Sequence, residues 1–389
     1  MYKIAFFCIP AHGHTNPTLP VVRALCDMGH EVRYYSFEAF RGAIEAAGAT
    51  FVSCDGYDMG GEAATGAEVA RDIEVSARLI VRATLAMDAD ITRQLEAWRP
   101  DVIVGDSVAY WAKLIAMKLG IPFVCSCTTF AFNRYSSRIM KQGLGDLVRL
   151  LWKLPRTKKL LKPLRDAGYP ADNLLAIVQN DDITDTVVYT SREFQPAAES
   201  FSDHYAFVGP LLREPAEAMA KPDRPLVYIS MGTVINDDDA FYRRCLEAFG
   251  DGRYEVIISA GEGTDIAALG TLPTHVRVLP RVDQVAVLRA ADAFVTHCGM
   301  NSVSEALYCG VPLVMRPLTP EEGGVAVRVS ELGAGVRLEK DDAATLRQAV
   351  ENVLDDPKYR EAAAKIGEGF RRCGGARAAA EKILSVARG

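Results

Sequence analysis

The chain has no cysteine framework, no excess of basic charge and no uninterrupted apolar run long enough to cross a bilayer. Each absence removes a class of function. The nine cysteines (Cys8, Cys26, Cys54, Cys125, Cys127, Cys245, Cys298, Cys309 and Cys373) are odd in number and scattered, with no C-x-x-C pair. That usage fits reduced thiols in a cytoplasmic protein and argues against a disulfide scaffold or a zinc site. Lys and Arg number 44 against 50 Asp and Glu, a formal net charge of −6. No global basic field exists to gather phosphate backbones, so a nucleic-acid partner is not expected. The opening MYKIAFFCIPAH carries one Lys and a short apolar run before polar residues return; it reads as a first strand and not as a signal peptide. After that strand the glycine-rich dinucleotide fingerprint is missing and AHGHTNP stands in its place, which removes support for a Rossmann-type redox enzyme. Internal repeats and low-complexity segments are missing as well.

What is present is ordinary in composition and informative in order. At 389 residues, 49% hydrophobic and 24% charged, the chain suits two soluble domains of usual size. Its first half alternates short apolar runs with helical patterns: 3–9, a helix over about 18–28 stopped by Gly29, then 31–36, 101–104 and 122–126. Such alternation predicts a parallel sheet with helices on both faces. Between Gly209 and Pro225 the stretch GPLLREPAEAMAKPDRP gathers three prolines beyond Pro210, the composition of an interdomain linker. A second alternating series follows at 226–230, 255–259, 276–279, 293–296 and 311–315. The expected class is α/β, with two doubly wound domains facing each other across a cleft.

The most informative stretch is RVDQVAVLRAADAFVTHCGMNSVSEALYCGVPLVMRPLTPEEGG, from Arg281 to Gly324. An apolar strand runs into His297-Cys298-Gly299-Met300-Asn301-Ser302, which opens a short helix closed by Gly310 before a second apolar strand. Ligands of open parallel sheets bind beyond the carboxyl ends of strands, and a helix start attracts anions. An anionic ligand is therefore expected near His297 and Ser302. His297, Gly299, Asn301, Ser302 and Glu305 resemble the nucleotide-sugar box of the family 1 glycosyltransferases, His-x-Gly-x-Asn-Ser-x-x-Glu, and PAHGHTNP extends the resemblance to the first half.

The resemblance implies the GT-B architecture, two Rossmann-like domains across a cleft. It suggests an acceptor-binding domain over 1–213, a linker over 214–225, a nucleotide-sugar domain over 226–375 and a last helix, 376–389, crossing back to the first domain. His14 matches the family's catalytic histidine in His-x-x-Pro, and Asp106, after the strand DVIVG, matches its supporting aspartate. From the residues alone, His14 reads as a loop histidine before Asn16-Pro17, a helix N-cap and first-turn pair, and Asp106 as an N-cap for the next helix. His12 is expected to be structural. On the donor side, the resemblance gives His297, Asn301 and Ser302 to the diphosphate and Glu305 to the ribose hydroxyls. Ser302-Val303-Ser304-Glu305 also spells an ordinary capping box. Ser230, Gly232 and Thr233 supply a second polar turn after a strand.

Two departures from the family pattern stand out. Arg281, Val282, Asp283 and Gln284 replace Trp-x-Pro-Gln; a guanidinium plane can stack on a pyrimidine as an indole does, so a UDP- or dTDP-sugar is expected. Glu321 and Glu322 stand where Asp-Gln or Glu-Gln would grip sugar hydroxyls, and a carboxylate in place of an amide removes donors. Glucose is the default sugar. Asp237-Asp238-Asp239 reads as acidic helix-start residues rather than as a metal motif, so metal-independent, inverting transfer is expected, with no cofactor beyond the nucleotide sugar. The segment 134–165 holds ten Lys or Arg against one acid, Asp146. It reads as a solvated helical face, or as a peripheral membrane contact. Tyr110, Trp111, Phe130 and Phe132 are candidates to line a lipophilic small-molecule acceptor. The rival functions are a nucleotide-sugar epimerase or hydrolase of the same fold, a glycolipid-forming transferase at a membrane surface, and a non-catalytic nucleotide-sugar binder.

Overall fold

The computed structural model describes residues 1–57, 72–137, 155–178, 180, 183–232 and 238–389. The chain divides into two units, Met1–Leu211 with Cys373–Gly389, and Leu212–Arg372. Each is a parallel sheet covered by helices.

In the first unit the strands are β1 (Lys3–Phe7), β2 (Glu31–Ser36), β3 (Thr50–Ser53), β4 (Val102–Asp106), β5 (Phe123–Cys127), β6 (Thr186–Val188) and β7 (Tyr205–Phe207), in the order β3-β2-β1-β4-β5-β6-β7. The order starts at β1, grows one way to β3, then reverses through β4. Side chains alternate between two cores, as strand geometry demands. Ala5, Phe7 and Ile103 face the helices Ile73–Trp98 and Tyr110–Leu119. Ile4, Phe6, Val102 and Val104 face the helix Leu19–Asp27. That second core also takes Ala379, Ala380, Ile383 and Leu384 from the last helix, Gly375–Ala387, so the C-terminus belongs to the first unit.

In the second unit β8 (Leu226–Ser230), β9 (Glu255–Ser259), β10 (Val276–Leu279), β11 (Ala293–Thr296), β12 (Leu313–Met315) and β13 (Gly335–Arg337) take the order β10-β9-β8-β11-β12-β13. Every residue of β8 and β11 is buried, as central strands covered on both faces must be. The stretch 214–225 is held along this unit by ion pairs: Glu214 with Arg289, Lys221 with Asp292, and Arg224 with Glu255.

Both sheets thus have a switch point, between β1 and β4 in one and between β8 and β11 in the other. Ligands bind beyond the carboxyl ends of strands at such points. Among the described residues no helix is long and apolar enough to cross a membrane.

Candidate active site

His14 and Asp106 meet at the first switch point. β1 ends at Phe7, and the chain turns through Cys8–Ala11 into a one-turn helix, His12–Thr15. That turn runs on through Asn16–Thr18 into Leu19–Asp27, so His14 is helical, and Asn16 lies within αR backbone without acting as an N-cap. The N-cap position is Ala11, which has no side chain to cap with. Asp106 closes β4. It does not cap the helix Tyr110–Leu119 either, whose N-cap is Ala109. Its Oδ1 instead accepts from the Val108 amide at 3.0 Å, while Oδ2 lies 2.7 Å from His14 Nδ1. The Asp106 side chain is 1% exposed and that of His14 25%. A carboxylate can only accept, so this contact puts the imidazole proton on Nδ1 and leaves Nε2 as the ring's proton acceptor. Gly105, just before Asp106, has to be glycine for packing: a Cβ there would lie 2.8 Å from both Ala112 and Phe123.

At the second switch point, β8 ends at Ser230 and β11 delivers His297. The imidazole sits between two glycines. A Cβ on Gly232 would lie 2.6 Å from its Nε2, and one on Gly299 would lie 2.5 Å from it. Gly232 also has φ +85°, a conformation side chains rarely adopt. Burial lowers the His297 pKa, against the opposing pull of the Glu322 carboxylate and the Ser230 backbone. The ring is therefore neutral near pH 7. Its Nδ1 is buried, and among the described residues no group completes a hydrogen bond to it. Cys298 then takes φ 72°, held by its amide donating to Thr296 Oγ1 at 3.2 Å. The turn feeds the helix Met300–Tyr308, whose N-cap Gly299 makes no side-chain hydrogen bond. A helix start with no side-chain cap suits an anion.

Because that helix begins at Met300, Ser302 and Glu305 do not form the capping box their spacing suggests. They join a different network. Gln284 Nε2 donates to Glu305 Oε2 at 2.6 Å and to Ser302 Oγ at 3.3 Å, while its Oε1 accepts from Tyr228 Oη at 3.1 Å. Burial raises the Glu305 pKa, opposed by the Gln284 hydrogen bond and the Arg213 charge. The capping box forms instead at the start of the next helix. Thr319 Oγ1 accepts from the Glu322 amide at 3.3 Å, and Glu322 Oε2 accepts from the Leu318 and Thr319 amides at 2.7 and 2.8 Å. Glu322 is thus turned onto its own helix, Pro320–Glu331, and Glu321 beside it is exposed.

The other sequence candidates scatter. Arg281 is exposed and pairs with Glu262 at 2.9 Å, with Val282 half-buried behind it. Trp111 and Phe130 are 7% and 2% exposed. Trp111 packs in the core with Leu114 and Ile115, and Phe130 meets the Phe194 ring at a tilt of 43°. Both are buried inside the unit, whereas Tyr110 and Phe132 keep some surface. Asp238 is the N-cap of the helix Asp239–Phe249, accepting from Phe241 at 2.9 Å. His12 is exposed and meets Phe40 edge-on. Thr233, Asp237 and the span 138–154 of the basic segment lie outside the described residues. In the described remainder of that segment, Leu161 and Leu164 are buried while Lys162 and Asp166 pair in solvent. The sequence reading missed Thr128, whose Oγ1 lies 3.1 Å from His14 Nδ1, and it missed Tyr228. The period-2 alternation from Ser230 marks Tyr228 as its same-face neighbour; no sequence signal marks Thr128.

Comparison with known proteins adds four likenesses. A family model described as Erythromycin biosynthesis protein CIII-like, C-terminal domain, matches residues 243–371. The chain is 32% identical to NDP-glycosyltransferase YjiC of Bacillus subtilis (strain 168), covering 98% of this chain and 96% of that protein. Among solved structures, the glycotransferase of kitacinnamycin aligns with a TM-score of 0.85 at 28% identity, covering 99% of this chain and 98% of that one. CalG4, the calicheamicin glycosyltransferase, aligns at 0.83 and 29%, with the same coverage of both chains.

Proposed function

The chain belongs to the family 1 glycosyltransferases, with their GT-B fold, and from that premise we propose inverting, metal-independent transfer of a sugar from a UDP- or dTDP-sugar to a hydroxyl of a lipophilic small molecule. Glucose is the default sugar. The observation that carries the proposal is the 2.7 Å hydrogen bond from His14 Nδ1 to the buried Asp106, because a protein that only bound nucleotide sugars would have no use for an oriented base. The names of the kitacinnamycin and calicheamicin enzymes support a natural-product acceptor.

In the proposed reaction the acceptor O–H gives its proton to His14 Nε2. The freed oxygen pair forms the new bond to the anomeric carbon. The bond from that carbon to the diphosphate oxygen breaks, and its electron pair leaves with the nucleoside diphosphate. Asp106 holds the tautomer and stabilises the imidazolium. His297 and the start of Met300–Tyr308 would take the leaving diphosphate, and Glu305, oriented by Gln284, the ribose hydroxyls.

The test is mass-spectrometric product analysis with UDP-glucose, alone and with phenolic, macrolide and sterol acceptors, in EDTA. An acceptor heavier by one hexose supports the reading. Donor consumed without acceptor would favour an epimerase or hydrolase instead. His14→Ala should lose about 100-fold or more in transfer, the scale of a positioned base, with UDP binding by calorimetry unchanged. Full activity in that variant would remove the mechanism.

A further inference from the structure

We propose that Thr128 is a positioning residue for His14, sharing the ring's Nδ1–H with Asp106 and stabilising the imidazolium that forms when Nε2 takes the acceptor proton. The inference rests on the reading of His14 as the base. Three elements converge on the ring: its own turn after β1, Asp106 at the end of β4, and Thr128 just past β5. β4 and β5 are neighbours in register, Asp106 opposite Ser126, so Thr128 stands two residues beyond the strand position paired with Asp106. Its hydroxyl oxygen lies 3.1 Å from Nδ1, where Asp106 Oδ2 lies at 2.7 Å. Thr128 is 5% exposed, so water does not readily replace it.

One N–H facing two acceptors makes a three-centre hydrogen bond. The carboxylate supplies the charge and fixes which nitrogen carries the proton. The hydroxyl supplies a second acceptor on a different strand, so a rotation of the ring about its Cβ–Cγ bond breaks two contacts and not one. The Val108 amide on Asp106 Oδ1 keeps the carboxylate from following such a rotation.

The surroundings sharpen the role. Among the described residues, the Asp106 charge acts on Cys8 beyond β1, Tyr110 on the next helix, Cys125 on β5 and Tyr189 beyond β6. Burial raises all four, Tyr110 and Cys125 to about 12, and they are neutral wherever the enzyme works. Asp106 is then the charged member beside these four neutral groups. As Nε2 gains a proton, Nδ1–H becomes a stronger donor and both acceptors gain with it. Thr128 thus favours the protonated ring over the neutral one.

The experiment compares Thr128→Val, which keeps the shape and loses the hydroxyl, with Thr128→Ser, which keeps the hydroxyl, using UDP-glucose and a panel acceptor that the wild type glycosylates. His14→Ala is run beside them. Thr128→Val should lower kcat about 10-fold, the scale of one hydrogen bond to a charged group, with the donor KM within about twofold. Its acid limb of kcat should move to lower pH, because an imidazolium with one acceptor fewer gives up its proton more readily. Thr128→Ser should restore both. An unchanged kcat and acid limb in Thr128→Val, with His14→Ala inactive, overturns the role of Thr128 and leaves the base in place. That role is equally overturned if Thr128→Val unfolds at lower temperature, Thr128→Ser fails to restore it, and neither moves the acid limb, since the residue then serves packing alone. Activity retained in His14→Ala is the distinguishable case in which the base reading fails first.

Discussion

Glu305 is a carboxylate placed where a carboxylate costs stability. Burial raises its pKa, and the Gln284 amide and Arg213 offset the cost only in part. With the folded pKa above the unfolded one, the folded state holds the proton more tightly. Stability therefore falls as pH rises from the unfolded carboxyl value through the folded one. Glu305→Gln should accordingly raise the melting temperature of the ligand-free protein at pH 7, and the gain should shrink on acidification. The same variant should weaken UDP binding about 10-fold or more in calorimetry, since an amide offers one neutral acceptor oxygen to the ribose hydroxyls where a carboxylate offers two charged ones. A variant that melts no higher at pH 7 would put the carboxylate in a well-solvated place. The family resemblance marks His14, Asp106, His297 and Glu305 in the sequence; from the residues alone His14 reads as a loop histidine, Asp106 as an N-cap and Ser302 to Glu305 as a capping box. Thr128 was legible in neither way. It is 114 residues from His14, and a threonine after an apolar strand carries no spacing that points to a histidine so distant.

The element scale shows why one short pattern has two outcomes. Ser302 to Glu305 and Thr319 to Glu322 are both hydroxyl residues with a glutamate three later, yet only the second forms a capping box. The difference is where the helix starts. Gly299 opens the first helix three residues before Ser302, which moves that serine into the body of the first turn and frees Glu305 for Gln284. Nothing in four residues gives the start point; the left-handed Cys298 and the two glycines around His297 set it. Gly299→Ala and Gly232→Ala should each displace that imidazole, since a Cβ at 2.5 or 2.6 Å has no room. We expect UDP affinity to fall about 10-fold or more in both variants. The larger stability loss should be in Gly232→Ala, where positive φ adds about 1 kcal/mol. Calorimetry showing wild-type affinity in Gly299→Ala would mean His297 does not touch the diphosphate. Strand legibility follows similar logic. LVYIS, EVIIS, VRVL and AFVT are continuous apolar or alternating runs, and their bounds match the sequence reading. β6, β7 and β13 have three residues each, too few to show any period.

At the scale of the molecule, the two sheets share one strand order, growing from a first strand outward and reversing, so each unit has a single switch point. In the first unit the histidine follows the first strand and its partner ends the fourth; in the second unit the histidine follows that fourth position and Ser230 ends the first. Alternating strand and helix patterns make this doubly wound class readable in the sequence, but they do not assign the last helix, which depends on which core is missing a face. Ile383 and Leu384 fill that face, together with Val21, Val22 and Leu25. Stability of the first unit should therefore depend on the end of the chain, although 161 residues of the second unit, Leu212–Arg372, intervene in sequence. Tryptophan fluorescence can test this selectively, because Trp98, Trp111 and Trp152 all belong to the first unit by sequence and the second has none. Ile383→Ala, at a site 1% exposed, should cost about 2–4 kcal/mol and lower the fluorescence-detected transition by several degrees. Val350→Ala, equally buried in the core of the second unit, is the matched control and should move that transition much less. Equal shifts from the two substitutions would mean the chain unfolds as one cooperative body. A shift from Val350→Ala alone would mean the last helix contributes nothing to the core it completes.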